Sequence, residues 1–340
     1  MTEDNNCEPK PDDVDYVVYA KQLFGCRLGY PIWFPKSGDR HDIQIGDVGY
    51  YFQGGFHRVF NTTLLDDDPS HIHGLPYNYE PFQVELQQEE VGRITLVDRS
   101  VKYVQVQGGG GSDSTAVSPT RLGMSSTLDR SAAPAGGAFS SFAPPVDRLQ
   151  IHPSKSFVAY MRANFQRWNA FLNSKDVDVT EVPLLFVSGT VKISEWGCGA
   201  FKSHFGVQVD QAWMASDQAD LKDQTLFINY FRMKDQEAHQ KDGDVEGTVA
   251  SMYDPVNDLL DYILEYRFKG MQDKTQPKIA IASDTHLYDL FDGEVVPVDI
   301  RAALAEMKPP VVFVDDQREG ALYCNMFESD EPSADFRPTE

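Results

Sequence analysis

Side chains able to do chemistry gather in a few short stretches of this chain. In PKIAIASDTHLYDLF a buried strand runs into Asp284 and His286. Asp-x-His at the C-terminal end of a strand suits two-metal hydrolysis of phosphate esters, because α/β sites lie at strand ends. Such a centre needs further carboxylates, an Asn and several His downstream. His286 is the last histidine of the chain and no GNH segment follows. The competing reading is a helix that starts at the strand end, capped by Ser283 or Asp284. A second stretch, SEWGCGAFKSHFG, carries Cys198 with His204 six residues on. A thiol nucleophile needs a base and an oxyanion hole, for which the backbone at Gly197 and Gly199 could serve. A small buried Cys is the ordinary alternative. In DDDPSHIHG, His71 and His73 with Asp66 to Asp68 offer metal-ligand types, yet Pro69 and Gly74 mark a loop, and an acidic surface loop is expected. The aromatics Tyr30, Trp33, Phe34 and Tyr50, Tyr51, Phe52 could wall a small-molecule pocket or build a core; without convergent polar groups, core is the expectation.

Several chemistries have no motif to carry them. There is no GxxxxGK[ST], no GxGxxG after a strand, no HExxH, no GxSxG and no EF-hand loop. No cofactor is implied. The chain of 340 residues has a net charge of −22, a field that repels nucleic-acid phosphates and anionic lipid heads, so nucleic-acid and membrane partners are not expected. The acidic, polar N-terminus is no signal peptide, and the mostly apolar run Val182 to Val187 is far too short to span a bilayer. Cys7, Cys26, Cys198 and Cys324 have neither metal nor disulfide-scaffold spacing, which points to a reducing, cytoplasmic setting. There the sequon at Asn61 would carry no glycan.

The elements that must position these residues follow from pattern. An acidic tail (1–13) precedes a β-rich part (14–107). Within it DYVVYAKQLFG reads as helix or strand, and Pro31 and Pro35 make an extended buried loop. Ile43 to Phe60 reads as a hairpin turning at Gly54-Gly55. Residues 108–145 are dominated by Gly, Ser, Thr, Ala and Pro and read as a flexible insertion. Residues 146–325 alternate helix and strand, before a second acidic tail (326–340). Phe157, Met161, Phe165, Trp168 and Leu172 line one face of a helix over 154–173. VPLLFVSGTVKI, TLFINYFRM, PKIAIA and VVFV read as strands. Asp254 with Pro255 opens a helix, and 299–307 forms another. The expected fold is α+β with a mixed sheet, one compact unit with an insertion.

The landmarks GYPIWFP, IGDVGYYFQGGFHRVFN, FVAYMRANFQRWNAF, PLLFVSGTVKISEWGCGAF, TLFINYFRM, DPVNDLLDYILEY and PKIAIASDTHLYDLF, in this order, resemble a lineage-expanded family of uncharacterised intracellular proteins of mushroom-forming (basidiomycete) fungi. The resemblance spans about residues 14–316 and implies one shared architecture. It brings no catalytic residues with it. The functional expectation is a non-catalytic binding or regulatory protein with a protein or small-molecule partner. The alternative is a hydrolase using Cys198/His204 or a metal site at Asp284/His286.

Overall fold

A computed structural model describes residues 15–35, 42–84, 86–91, 94–97, 101–107, 123–128, 136–142, 146–151, 155–175, 183–194, 196–204, 207–215, 224–235, 253–265, 279–291, 296–297, 299–314 and 321–323. Both acidic tails lie outside them. The segment left open between helix and strand is helix α1 (Asp15–Leu23), continued by a 3-10 turn (Phe24–Cys26) that ends in left-handed Arg27. The proline-rich segment behind it is extended and buried, as expected, and Tyr30–Pro31 forms strand β1. Strands β2 (Asp47–Phe52) and β3 (Gly55–Asn61) are the hairpin. Its turn falls one residue early, at Gln53-Gly54, where both φ angles are positive, the conformation that matches strand twist. Strands β4 (Leu86–Val91), β5 (Ile94–Val97) and β6 (Val101–Gln107) complete the β-rich part.

The flexible reading of 108–145 needs correction at 123–128 and 136–142; the other residues of that segment lie outside the described ones. Gly123–Leu128 is strand β7, paired with β6, and Gly136–Phe142 is strand β8. Small residues such as Gly, Ala and Ser are poor strand formers by propensity, but tertiary pairing overrides that here. Strand β9 (Val146–Ile151) then leads into helix α2 (Lys155–Asn173), within a residue of expectation. Strands β10 (Leu184–Ile193), β11 (Trp196–His204), β12 (Val207–Ala215) and β13 (Gln224–Asp235) follow. Helix α3 (Pro255–Glu265), strand β14 (Ile279–Ser283), helices α4 (Asp284–Leu290) and α5 (Ile300–Met307), and strands β15 (Val312–Val314) and β16 (Ala321–Tyr323) close the described chain.

The fold is α+β. A ten-stranded mixed sheet has the order β15-β16-β14-β13-β10-β2-β3, with β1 beside β13 and β9-β4 beside β10. A four-stranded sheet, β12-β11-β8-β5, has no strand paired with it but shares its core through Ala138, Trp196, Cys198 and Ala200, and helix α1 packs against β8 and β11. Among the described strands the one parallel pairing is β14 with β16. Strands from the early and late parts interleave, so these parts are not separate domains. Strands β10 and β13 form the centre and are buried on both faces, which is why they read as near-continuous apolar runs. One face packs on α1, α3, α4 and α5; the other packs on α2 through Phe157, Met161, Phe165, Trp168 and Leu172.

Each outer edge of the β10–β13 pair is shared by two strands, and so forks. On β10, Leu184–Phe186 pair with β2 and Gly189–Ile193 with β9, with an irregular register between Val187 and Gly189. On β13, Phe227 and Ile228 pair with β1, and residues from Phe231 onward pair with β14. A fork leaves backbone groups without a strand to bond them, and buried groups of that kind must find other partners.

Candidate functional site

Asp284 and His286 sit at the fork on β13. Strand β14 ends at Ser283, whose side chain accepts from the backbone N–H of His286 at 3.4 Å. In return the Nδ1 of His286 accepts the backbone N–H of Ser283 at 3.1 Å, so the neutral ring carries its proton on Nε2. This is a capping box with His in the place usually held by Glu or Gln. Asp284, the first helical residue, reaches back to β13. One carboxyl oxygen accepts the backbone N–H of Tyr230 at 3.0 Å and the other accepts from Nδ2 of Asn229 at 2.8 Å. Asn229 and Tyr230 are the two residues left between β1 and β14, and the carboxyl accepts the Tyr230 N–H that neither strand reaches.

Glycines make room for this arrangement. Asn229 pairs with Gly189 of β10, and a Cβ on Gly189 would stand 2.8 Å from the Asn229 Oδ1 and 3.0 Å from the Leu149 carbonyl oxygen. Gly29, at φ +114, brings the chain so close to β13 that a Cβ would lie 2.5 Å from the Ile228 carbonyl oxygen. Burial pushes the Asp284 carboxyl up to about 7 against the hydrogen bonds that favour its charge, and pushes His286 down to about 4. Both side chains are buried, with the His286 ring edge-on to Phe231 at 5.9 Å.

The fork on β10 is filled in a similar way. The backbone N–H of Gly46 donates to the Val187 carbonyl at 2.9 Å. Buried Asp47 holds that loop: it accepts from the Gln44 N–H and from Asn61 Nδ2, each at 2.7 Å, and faces Arg58 at 3.5 Å. Burial outweighs these contacts and raises its carboxyl to about 7. The sequon's Asn61 is thus a buried structural residue.

The other candidates come apart. Cys198 is fully buried in β11 against α1, near the hydroxyls of Tyr19 and Ser140. His204 ends the same strand, and six strand residues span about 20 Å. A base must lie within hydrogen-bond reach of its nucleophile, so these two do not form a dyad. His71 turns its Nε2 to the Leu65 carbonyl at 3.0 Å, His73 is exposed, and Asp68 caps Ser70 within the loop. Among the described residues no group of three or more His, Cys, Asp or Glu is placed to hold a metal ion. Tyr30, Tyr51 and Tyr230 stack edge-to-face at 4.9 and 5.9 Å in the core, with Trp33 against Tyr19 at 5.1 Å. Most of the early aromatics are therefore core; Phe34 and Phe52 reach solvent. No helix among the described residues is long and apolar enough to cross a membrane.

Sequence reasoning passed over Asn229, Asp47 and a second polar cluster. On β13, Lys234 donates to Asp261 at 2.7 Å and to Asn257 at 3.2 Å, joining the strand to α3, and Arg301 of α5 meets Asp261 at 2.9 Å. The available signal was a polar residue inside an apolar strand: Asn229 and Arg232 in TLFINYFRM, with Lys234 just beyond.

Comparison with protein-family models, with curated proteins and with solved structures finds no match.

Proposed function

We propose that this protein works by binding, as a non-catalytic regulatory or recognition protein of the cytoplasm, and that it belongs with the basidiomycete family it resembles. One observation carries the reading. The lone pairs of the buried ionisable groups best suited to catalysis are turned to partners inside the fold: Asp284 to Tyr230 and Asn229, His286 Nδ1 to Ser283, Asp47 to Gln44, Asn61 and Arg58. A ligand or general base needs a lone pair facing substrate. The family-like segments IGDVG, VSG and SDTHL then owe their character to the two forks of the sheet. The test is elemental analysis of the purified full-length chain, with a panel of phosphate, carboxyl and thiol ester substrates with and without manganese. The expected result is no stoichiometric transition metal and no turnover above blank. One or two bound ions per chain, or turnover lost in Asp284→Ala, would overturn the proposal.

A further inference from the structure

Residues 62–82 have no regular secondary structure, yet they are firmly built. The Phe82 N–H donates to the Thr62 carbonyl at 2.7 Å and closes the loop at its base. The Tyr79 hydroxyl donates to the carbonyls of Asn61 and Leu64, at 2.9 and 2.5 Å. Turns at Leu65–Asp68, Asp68–His71 and His71–Gly74 follow one another, and His71 lies edge-on to Tyr79 at 5.7 Å. Helix α2 holds the loop from outside, through Arg167 to the Asn78 carbonyl and Tyr160 to the Glu80 carbonyl. Long irregular loops that pack on themselves are commonly functional.

Tyr77 is 83% exposed, Leu65 63% and Ile72 57%, more than any other large apolar side chain among the described residues. Between and beside them stand exposed Asp66, Asp67 and Glu80, and residues 62–82 contain no Lys or Arg. Arg167 and Arg58 approach the loop, at Asn78 and Asp68, while the exposed charges of the loop itself are acidic, and held apolar side chains set among charges of one sign select a partner of the other sign.

We infer that the 62–82 loop is a docking site for a partner protein that presents a basic, apolar-studded segment. The inference rests on the binding reading above and names the partner's chemistry. Charge decides between occupants. A second copy of this chain would set acid against acid at a net −22 per molecule, and the acidic composition of both chain ends disfavours them as occupants in the same way. Anionic lipid is repelled by the same carboxylates. Only the basic partner meets both the apolar side chains and the charge. Because the loop is already ordered, little entropy is lost on docking.

The test uses the full chain and two labelled peptides of equal positive charge, one a basic amphipathic helix of Lys and Leu, the other with every Leu replaced by Ser. The protein should bind the Lys/Leu peptide at least about ten-fold more tightly than the control, read by anisotropy. In Leu65→Ser with Tyr77→Ser the preference should fall to within about two-fold, with thermal stability unchanged because both side chains are exposed. Tyr77→Ser alone serves if the double variant misfolds. Asp66→Asn with Asp67→Asn should weaken both peptides and flatten the salt dependence. A preference that survives Leu65→Ser/Tyr77→Ser, or no preference in the parent chain, overturns the inference. So does a dimer by sedimentation that this double variant dissolves, since a second copy would then be the occupant. Turnover in the substrate panel would sink the binding reading while leaving the peptide result to stand or fall by itself.

Discussion

Asp284 stands where two strands meet the edge of β13 without covering it, and its protonation is tied to folding. Burial penalises the charge and pushes its carboxyl from the ordinary 3.8 up to about 7 in the folded chain. The folded state therefore holds the proton more tightly than the unfolded state. The stability this gives is complete below about 3.8 and is lost as pH rises through about 7. His286 works in the opposite sense: depressed from 6.5 to about 4, it favours the fold above 6.5 and ceases to as pH falls towards 4. The two are separable in Asp284→Asn, which removes one titration and leaves the other. Its carboxamide turns an N–H towards a donor, at a cost of about 1–3 kcal/mol. Denaturant unfolding of both proteins should show the parent's advantage greatest near pH 4. It should shrink as pH rises from there and level off above about 7. An advantage independent of pH would mean that the carboxyl titrates alike in both states.

At the scale of elements, helix α2 shows what periodicity can reveal. Its apolar spacing gave both its extent and its buried face, and Trp168 lies fully buried against Phe60 and Phe186 at ring distances of 5.9 and 6.1 Å. Trp168→Ala should lower stability by about 3–5 kcal/mol in chemical denaturation, through lost transfer energy and the cavity left behind. A loss under about 1 kcal/mol would place this face in solvent. The start of α3 was equally legible, since Pro255 suits a first turn that has no partner for its N–H. Strands β8, β11 and β12 were not. Gly, Ala and Ser in GGAFSSF carry little pattern, and only pairing with distant strands makes a strand of them. The candidate site divides the same way. The cap at Ser283 was readable from local spacing, whereas the reach of Asp284 to Asn229 joins residues 55 apart in sequence and depends on the fork.

For the molecule as a whole, the forks explain why distant segments read as one set of landmarks. Gly46 fills the fork on β10 and Asp284 the fork on β13, while the Asn229–Gly189 pair spans the two central strands between them. The same view separates two parts of the low-complexity segment. Gln107 of β6 and Gly123 of β7 are register partners, so 108–122 joins two strand ends that already lie side by side. A two-residue Asn-Gly turn can make that connection, and a shorter loop reduces closure entropy. Replacing 108–122 by Asn-Gly should leave the melting temperature unchanged or raise it by a few degrees. Deleting 108–145 removes β8, which lies between β5 and β11 and carries the surface against which α1 packs. That variant should lose its cooperative melting transition, seen by circular dichroism and calorimetry. If instead the short replacement unfolds the protein, residues 108–122 hold contacts that the β6–β7 register alone does not supply. If the long deletion melts normally, the four-stranded sheet is dispensable and α1 takes its stability from the central sheet alone.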